Sequence, residues 1–202
     1  MRGQAYTLEA VVAALLIVSS LVFALQVTAV TPLSASTSSQ HIENQQRASA
    51  AGALAAAAHT PVEGESNALR EAVLYCNVTQ MPGYHDADSP PSYTNRNPDN
   101  AFGEILDRSF QRGVALNVRV HADEAGDTHR MIDRGTPSDN AVSASRTVTI
   151  YENDTLTSPE AGGMSVIEAS EQGLLEDCLP DSTVDDGPVY AVVRVEVTAW
   201  RM

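Results

Sequence analysis

Five histidines, two cysteines and a surplus of carboxylates are the residues whose chemistry could matter in this chain. His85 with Asp86 and Asp88, and His121 with Asp123, Glu124, Asp127 and His129, bring imidazole near carboxylate oxygens, the donor types of a metal site. Neither group has a recognisable ligand spacing. Such neighbourhoods arise by chance in a chain this acidic, so both read as solvated loops. The acidic tracts at 123–127 and 181–186 lack the ordered alternation and fixed glycine of a calcium loop. No glycine-rich phosphate loop, nucleophile elbow, zinc helix motif or CxxC pair occurs, and Ser, His and Asp fall in no triad motif. The expectation is a non-catalytic protein with no metal and no cofactor.

Cys76 and Cys178 lie in the same half-polar region and so share one compartment. Exported, they would pair, closing a loop of about 100 residues worth about 4 to 5 kcal/mol in the chain-entropy view. Kept inside, they would be two separate buried thiols. The tripeptides Asn77-Val78-Thr79 and Asn153-Asp154-Thr155 are glycosylation acceptors if the region faces outward.

Which compartment that is depends on one stretch, residues 10–30, AVVAALLIVSSLVFALQVTAV, which carries no charge. Roughly 20 residues rising about 1.5 Å each cross a hydrocarbon core of roughly 30 Å, so the stretch is long enough for a transmembrane helix. A cleaved secretory signal is the rival. Its apolar region is shorter, roughly 7 to 15 residues, and does not carry an acid such as Glu9 on its inner edge. Arg2 is the only base before the span, and held inside it places the C-terminal bulk outside. At about 100° per residue, Ala10, Ala13, Ala14, Ser20, Ala24 and Thr28 share one arc of the helix, and the Ala10/Ala14 and Ser20/Ala24 spacings let helices approach closely.

Acids outnumber bases 26 to 12, the net charge is −14, and all the bases are arginine. Nucleic acid and anionic lipid headgroups are held by positive charge, so nucleic acid is not an expected partner. Carboxylate-rich, lysine-free surfaces suit molar salt, where repulsion is screened, and point to a salt-loving archaeal setting.

The stub Met1-Arg2-Gly3-Gln4-Ala5-Tyr6-Thr7-Leu8-Glu9 resembles the class III signal of archaeal type IV pilin-like proteins, in which a basic residue and Gly precede the cut, Gln starts the mature chain, and a Glu heads the apolar helix. The likeness extends to haloarchaeal pilin-like membrane proteins over roughly residues 1–60. It implies processing at Gly3 and Gln4 by a prepilin-type peptidase, and assembly through Glu9 with the small face Ala10, Ala14, Ser20 and Ala24. In that family the Glu pairs with the N-terminal amine of a neighbouring subunit. Here a cut between Gly3 and Gln4 puts Glu9 sixth, one place beyond the usual fifth, so a cut after Gln4 also stands. The bland alternative leaves Glu9 in the headgroup layer, favoured there by the helix dipole.

Thr31-Pro32 is expected to kink or break the helix. A helical stalk then runs over 31–60, ending in the alanine-rich stretch 47–59, whose small face would lie on a sheet or on neighbouring copies rather than in a deep core. The expected organisation is a stub at 1–9, a transmembrane helix at 10–30, the stalk at 31–60 and an extracellular domain at 61–202.

In that domain, residues 60–66 read as a linker, Asn67 caps a helix ending near Tyr75, and 77–100, with five prolines and glycines, reads as a surface loop. Tyr84, Tyr93 and Trp200 are expected to be exposed, where they would contact a partner. Helix is predicted over 101–112 and 167–179, with an acidic loop over 121–141. Strands are predicted over 114–121, 146–151 and 188–200 from alternating Val, Leu and Ile. Three strands with long connections make a small antiparallel sheet with helices on one face, an α+β fold. Together these features indicate a type IV pilin-like or minor pseudopilin-like subunit, single-pass in the cell membrane. The alternative is a permanently anchored surface protein whose outer domain binds a partner.

Overall fold

Alternation in the C-terminal strand sets the architecture. Ala191, Val193, Val195, Val197 and Ala199 recur every second residue, and an extended backbone sends all five side chains to one face, where each is buried. In the computed structural model of the chain this strand, β4 (Val189–Arg201), is the centre of a four-stranded antiparallel sheet. The structure describes residues 2–62, 66–79, 83–122, 127–181 and 187–201, with the backbone alone for 2–8 and 27–39. Strands β1 (Val114–Ala122), β2 (Thr128–Ile132) and β3 (Val142–Tyr151) complete the sheet in the order β2-β1-β4-β3. Register places Val118 opposite Val197, Val120 opposite Val195 and Val148 opposite Val193, so the apolar sets of three strands coincide.

Two compact units divide the chain, Met1–Ile42 and Glu43–Met202. One helix, α1 (Arg2–His59), contributes to both. Its backbone is helical without interruption, so of the kink or break expected at Thr31-Pro32 the break does not occur. Proline removes a single amide hydrogen, and the bonds of its neighbours can carry the helix on either side.

In the second unit, Ala50, Ala53, Leu54 and Ala57 of α1, spaced as one helical face, are 0–2% exposed and belong to the same core cluster as Val118 and Val195. Of the two expected placements, on a sheet or on neighbouring copies, the alanine face takes the first, and it is more deeply buried there than its small side chains suggested. Side chains this small let the helix approach closely while the bulk comes from the valines, Leu54 and the shorter helices. Those are α2 (Ala68–Val73), α3 (Ala101–Ser109) and α4 (Val166–Glu171). Each has a side-chain cap. Asn67 Oδ1 accepts from the Arg70 amide at 3.0 Å, Asn100 Oδ1 from the Gly103 amide at 3.0 Å, and Ser165 forms a capping box with Glu168. Leu69, Val73, Phe102, Ile105 and Leu106 supply the buried sides.

Four further expectations are corrected. The acidic loop predicted over 121–141 contains β2, whose THRMI sequence has only Met131 and Ile132 to mark it and lies at the sheet edge with its first residues outward. Strand β3 begins at Val142, earlier than predicted, because pairing with β4 extends through residues of low strand propensity such as Ser143 and Ser145. Helix α4 stops at Glu171, and Cys178 lies in a later turn. Tyr84, Tyr93 and Trp200 are buried, at 2%, 1% and 5% exposure. Gly83, Pro90, Pro91 and Pro98 do mark irregular backbone, but the described residues around them are anchored across the domain. Tyr84 donates its hydroxyl to the Cys178 carbonyl at 3.1 Å, Tyr93 donates to the His85 carbonyl, and the Tyr93 amide donates to the Met131 carbonyl at 2.9 Å. Trp200 lies opposite Ala115 on the sheet face that is otherwise mostly polar.

Candidate membrane-anchor and assembly site

Helix α1 carries every described residue of the proposed anchor, and those residues share one property. From Glu9 to Gln26, an 18-residue stretch long and apolar enough to cross a membrane, no residue is buried. Leu15, Leu16 and Phe23 are 63%, 67% and 68% exposed, in contrast to the buried alanines farther along the same helix. A continuous apolar surface of this size is not stable in water and requires lipid or protein around it. Backbone polarity is no obstacle, because the helix satisfies its own amides and carbonyls. Ser20 donates its hydroxyl to the Ile17 carbonyl at 2.8 Å, which satisfies that hydroxyl within the helix.

Ala10, Ala14, Ser20 and Ala24 are all exposed, as is Glu9 at the head of the stretch. The helical rotation of about 100° per residue keeps the four small residues on one side. Gly3 and Gln4 lie within the helical backbone of α1, but their side chains fall outside the described residues, as do those of residues 27–30 at the far end of the predicted span.

Cys76 and Cys178 form a disulfide with Cα atoms 5.7 Å apart, and both residues are fully buried. The bond ties the segment after α2 to the turn after α4. Of the two sequons, Asn153 is exposed in a turn. Asn77 is half-buried, and its side-chain oxygen accepts from both the amide and the hydroxyl of Thr79, at 2.8 and 2.6 Å.

The described histidines and acids considered as metal ligands each have partners of their own. His85 pairs with Glu160 at 2.6 Å and packs edge-on against Tyr75. Asp86 pairs with Arg96 at 2.6 Å, which lowers its pKa. Asp88 accepts from Thr94 and Asn95, and the Thr94 hydroxyl is the main cause of a carboxyl held well below its usual range. His121 bonds to Thr128 at 3.0 Å, and burial lowers its pKa against the opposing pull of Glu196. Burial likewise lowers that of His129, with Asp127 and Asp177 opposing. Asp123 and Glu124 lie outside the described residues. Among the described residues, no three His, Cys, Asp or Glu side chains come together in a way that would hold a metal.

An N-terminal helix able to cross a membrane, joined to a disulfide-tied α+β unit, places the chain in the class of proteins with a single candidate membrane anchor among the described residues. The chain belongs to the family DUF7288, a family of unknown function, whose family model matches residues 2–199. No curated protein and no solved structure matches it.

Proposed function

We propose that the chain is a non-catalytic, type IV pilin-like or minor pseudopilin-like subunit of a cell-surface filament or envelope assembly. The observation that carries this reading is the uncovered apolar length of α1, headed by Glu9 and preceded by Gly3-Gln4. An ionised carboxylate at a bilayer boundary is costly unless it meets a cation or reaches water. The free amine of a neighbouring processed subunit is such a cation. The small face of Ala10, Ala14, Ser20 and Ala24 would let adjacent α1 helices approach closely, so the anchor doubles as the assembly element.

Its partners are then membrane lipid, other pilin-like subunits or copies of itself, and a prepilin-type peptidase. The second unit lies outside the cell membrane. Support comes from the disulfide, which persists in oxidising compartments, and from Arg2 as the only base before the span. The acid-rich, lysine-free composition supports a haloarchaeal setting.

Mass spectrometry of the mature N-terminus tests the reading. Cleavage after Gly3 or Gln4, together with loss of assembly in Glu9→Ala, is the expected result. An intact Met1, or removal of Met1 alone, would instead indicate a permanently anchored surface protein. Cleavage near Val30 would indicate ordinary secretion.

A further inference from the structure

A cleft of about 420 Å³ opens between the C-terminal end of α3, the start of β1 and the turn after β2. Its size falls within the range of small-molecule sites, roughly 300 to 1,000 Å³. Phe110 and Val114, both half-buried, give it apolar surface, the buried Leu106 and Leu116 lie behind them, and Arg134 and Arg112 line it.

Arg134 is held there by an unusual amount of local structure. Asn117, only 1% exposed on the otherwise mostly polar sheet face, accepts from the Arg134 amide at 2.8 Å and donates to the Gly135 carbonyl at 2.9 Å. Gly135 has φ +111°, a conformation that favours glycine, and its amide donates to Asp133 at 3.2 Å. The Asp133 amide in turn donates to the Tyr93 carbonyl at 2.9 Å. The guanidinium itself donates from Nη2 to Asn97 Oδ1 at 2.7 Å, and its Nε is buried with no hydrogen-bond partner.

No ion pair reaches Arg134 among the described residues, although the chain has more than twice as many acids as bases. Burial lowers its pKa, and Asp107 and Asp88 oppose this only from beyond pairing distance. A half-buried charge without a counter-charge is costly, and a carboxylate matches the planar fork of a guanidinium. Asp107 lines the same cleft but is engaged by Asn97, whose side-chain amide donates to it at 2.7 Å.

We propose that this cleft binds a carboxylate carried on a small apolar body, with the acid on Arg134, Arg112 adding attraction at the rim, and the body against Phe110 and Val114. The same chemistry is offered by a free aromatic acid and by the C-terminal carboxylate of a peptide with an apolar last residue.

Isothermal titration of the full-length protein in detergent, with empty micelles subtracted, tests this using benzoate for the free acid and N-acetylphenylalanine for the peptide terminus. At least one acid is expected to saturate, and which one does identifies the source. N-acetylphenylalaninamide, which lacks the charge, is expected not to bind. Arg134→Gln should weaken binding by about tenfold or more, equivalent to about 1.4 kcal/mol. Asp107→Asn should strengthen it several-fold by removing a like charge, and it decides the matter if Arg134→Gln fails to fold. No saturation by either acid, equal binding of the amide, or wild-type affinity in Asp107→Asn or in a folded Arg134→Gln would overturn the proposal.

Discussion

His129 shows how one half-buried titrating group makes the stability of the fold depend on pH. Its pKa is lowered from the ordinary 6.5, chiefly by burial. Above that value the ring is neutral whether the chain is folded or not. Between the lowered pKa and 6.5 the unfolded chain takes up a proton that the folded one resists, so stability is full above about pH 6.5 and declines as pH falls through that window. His121 has the same sign. In urea denaturation from pH 8 to pH 5, wild-type protein should lose stability on acidification, and His129→Gln should flatten part of that loss.

Gly103 is a second position where one atom matters. It lies in the first turn of α3, and a Cβ there would run into the carbonyl of Pro98. Helix propensity alone favours Gly→Ala by about 1 kcal/mol. Steric conflict with backbone should outweigh it, so Gly103→Ala should lower unfolding stability by about 1 to 3 kcal/mol in the same assay.

At the scale of elements, α1 has two apolar surfaces with opposite fates. Its alanine face in the second unit is buried with the sheet valines, and its earlier apolar length is uncovered. The buried face has no room for bulk. Ala53→Leu should destabilise by about 1 to 3 kcal/mol through overpacking. Ala51→Leu, on the exposed side, should change stability by no more than about 0.5 kcal/mol. Chemical denaturation of both variants in the same detergent checks the contrast.

Strands β1 and β4 and the cap Asn67 were readable because their cues are local, being an alternation of period two and a side-chain oxygen placed before a helix. Strand β2 was not readable. It holds its place by pairing with β1 and by the Tyr93 backbone on either side of Ile132, the latter distant in sequence. The proposed carboxylate cleft was invisible for the same reason. Asn97, Asn117 and Arg134 come from three separate segments and form no motif.

For the whole molecule, the disulfide links segments 102 positions apart and closes most of the second unit into a loop. Replacing both cysteines, Cys76→Ala with Cys178→Ala, should cost about 2 to 5 kcal/mol, mainly because the unfolded chain regains freedom. Chemical denaturation of the double variant against oxidised and reduced wild type measures it. Reduced wild type should fall close to the variant.

What the sequence by itself determined is whatever depends on composition and short-range order. The uncharged length of residues 10–30, the acidic surplus without lysine, the valine alternation of β4 and the resulting α+β class all follow from neighbours along the chain. Only the tertiary structure decided burial and pairing. Tyr84, Tyr93 and Trp200 could not be assigned to the interior from an irregular segment and a strand end, because exposure depends on what packs over a residue from elsewhere. The same holds for the seating of the α1 alanines, the pairing of His85 with Glu160, and the guanidinium of Arg134 without an ion pair among the described residues. Each results from contacts between segments that folding alone brings together.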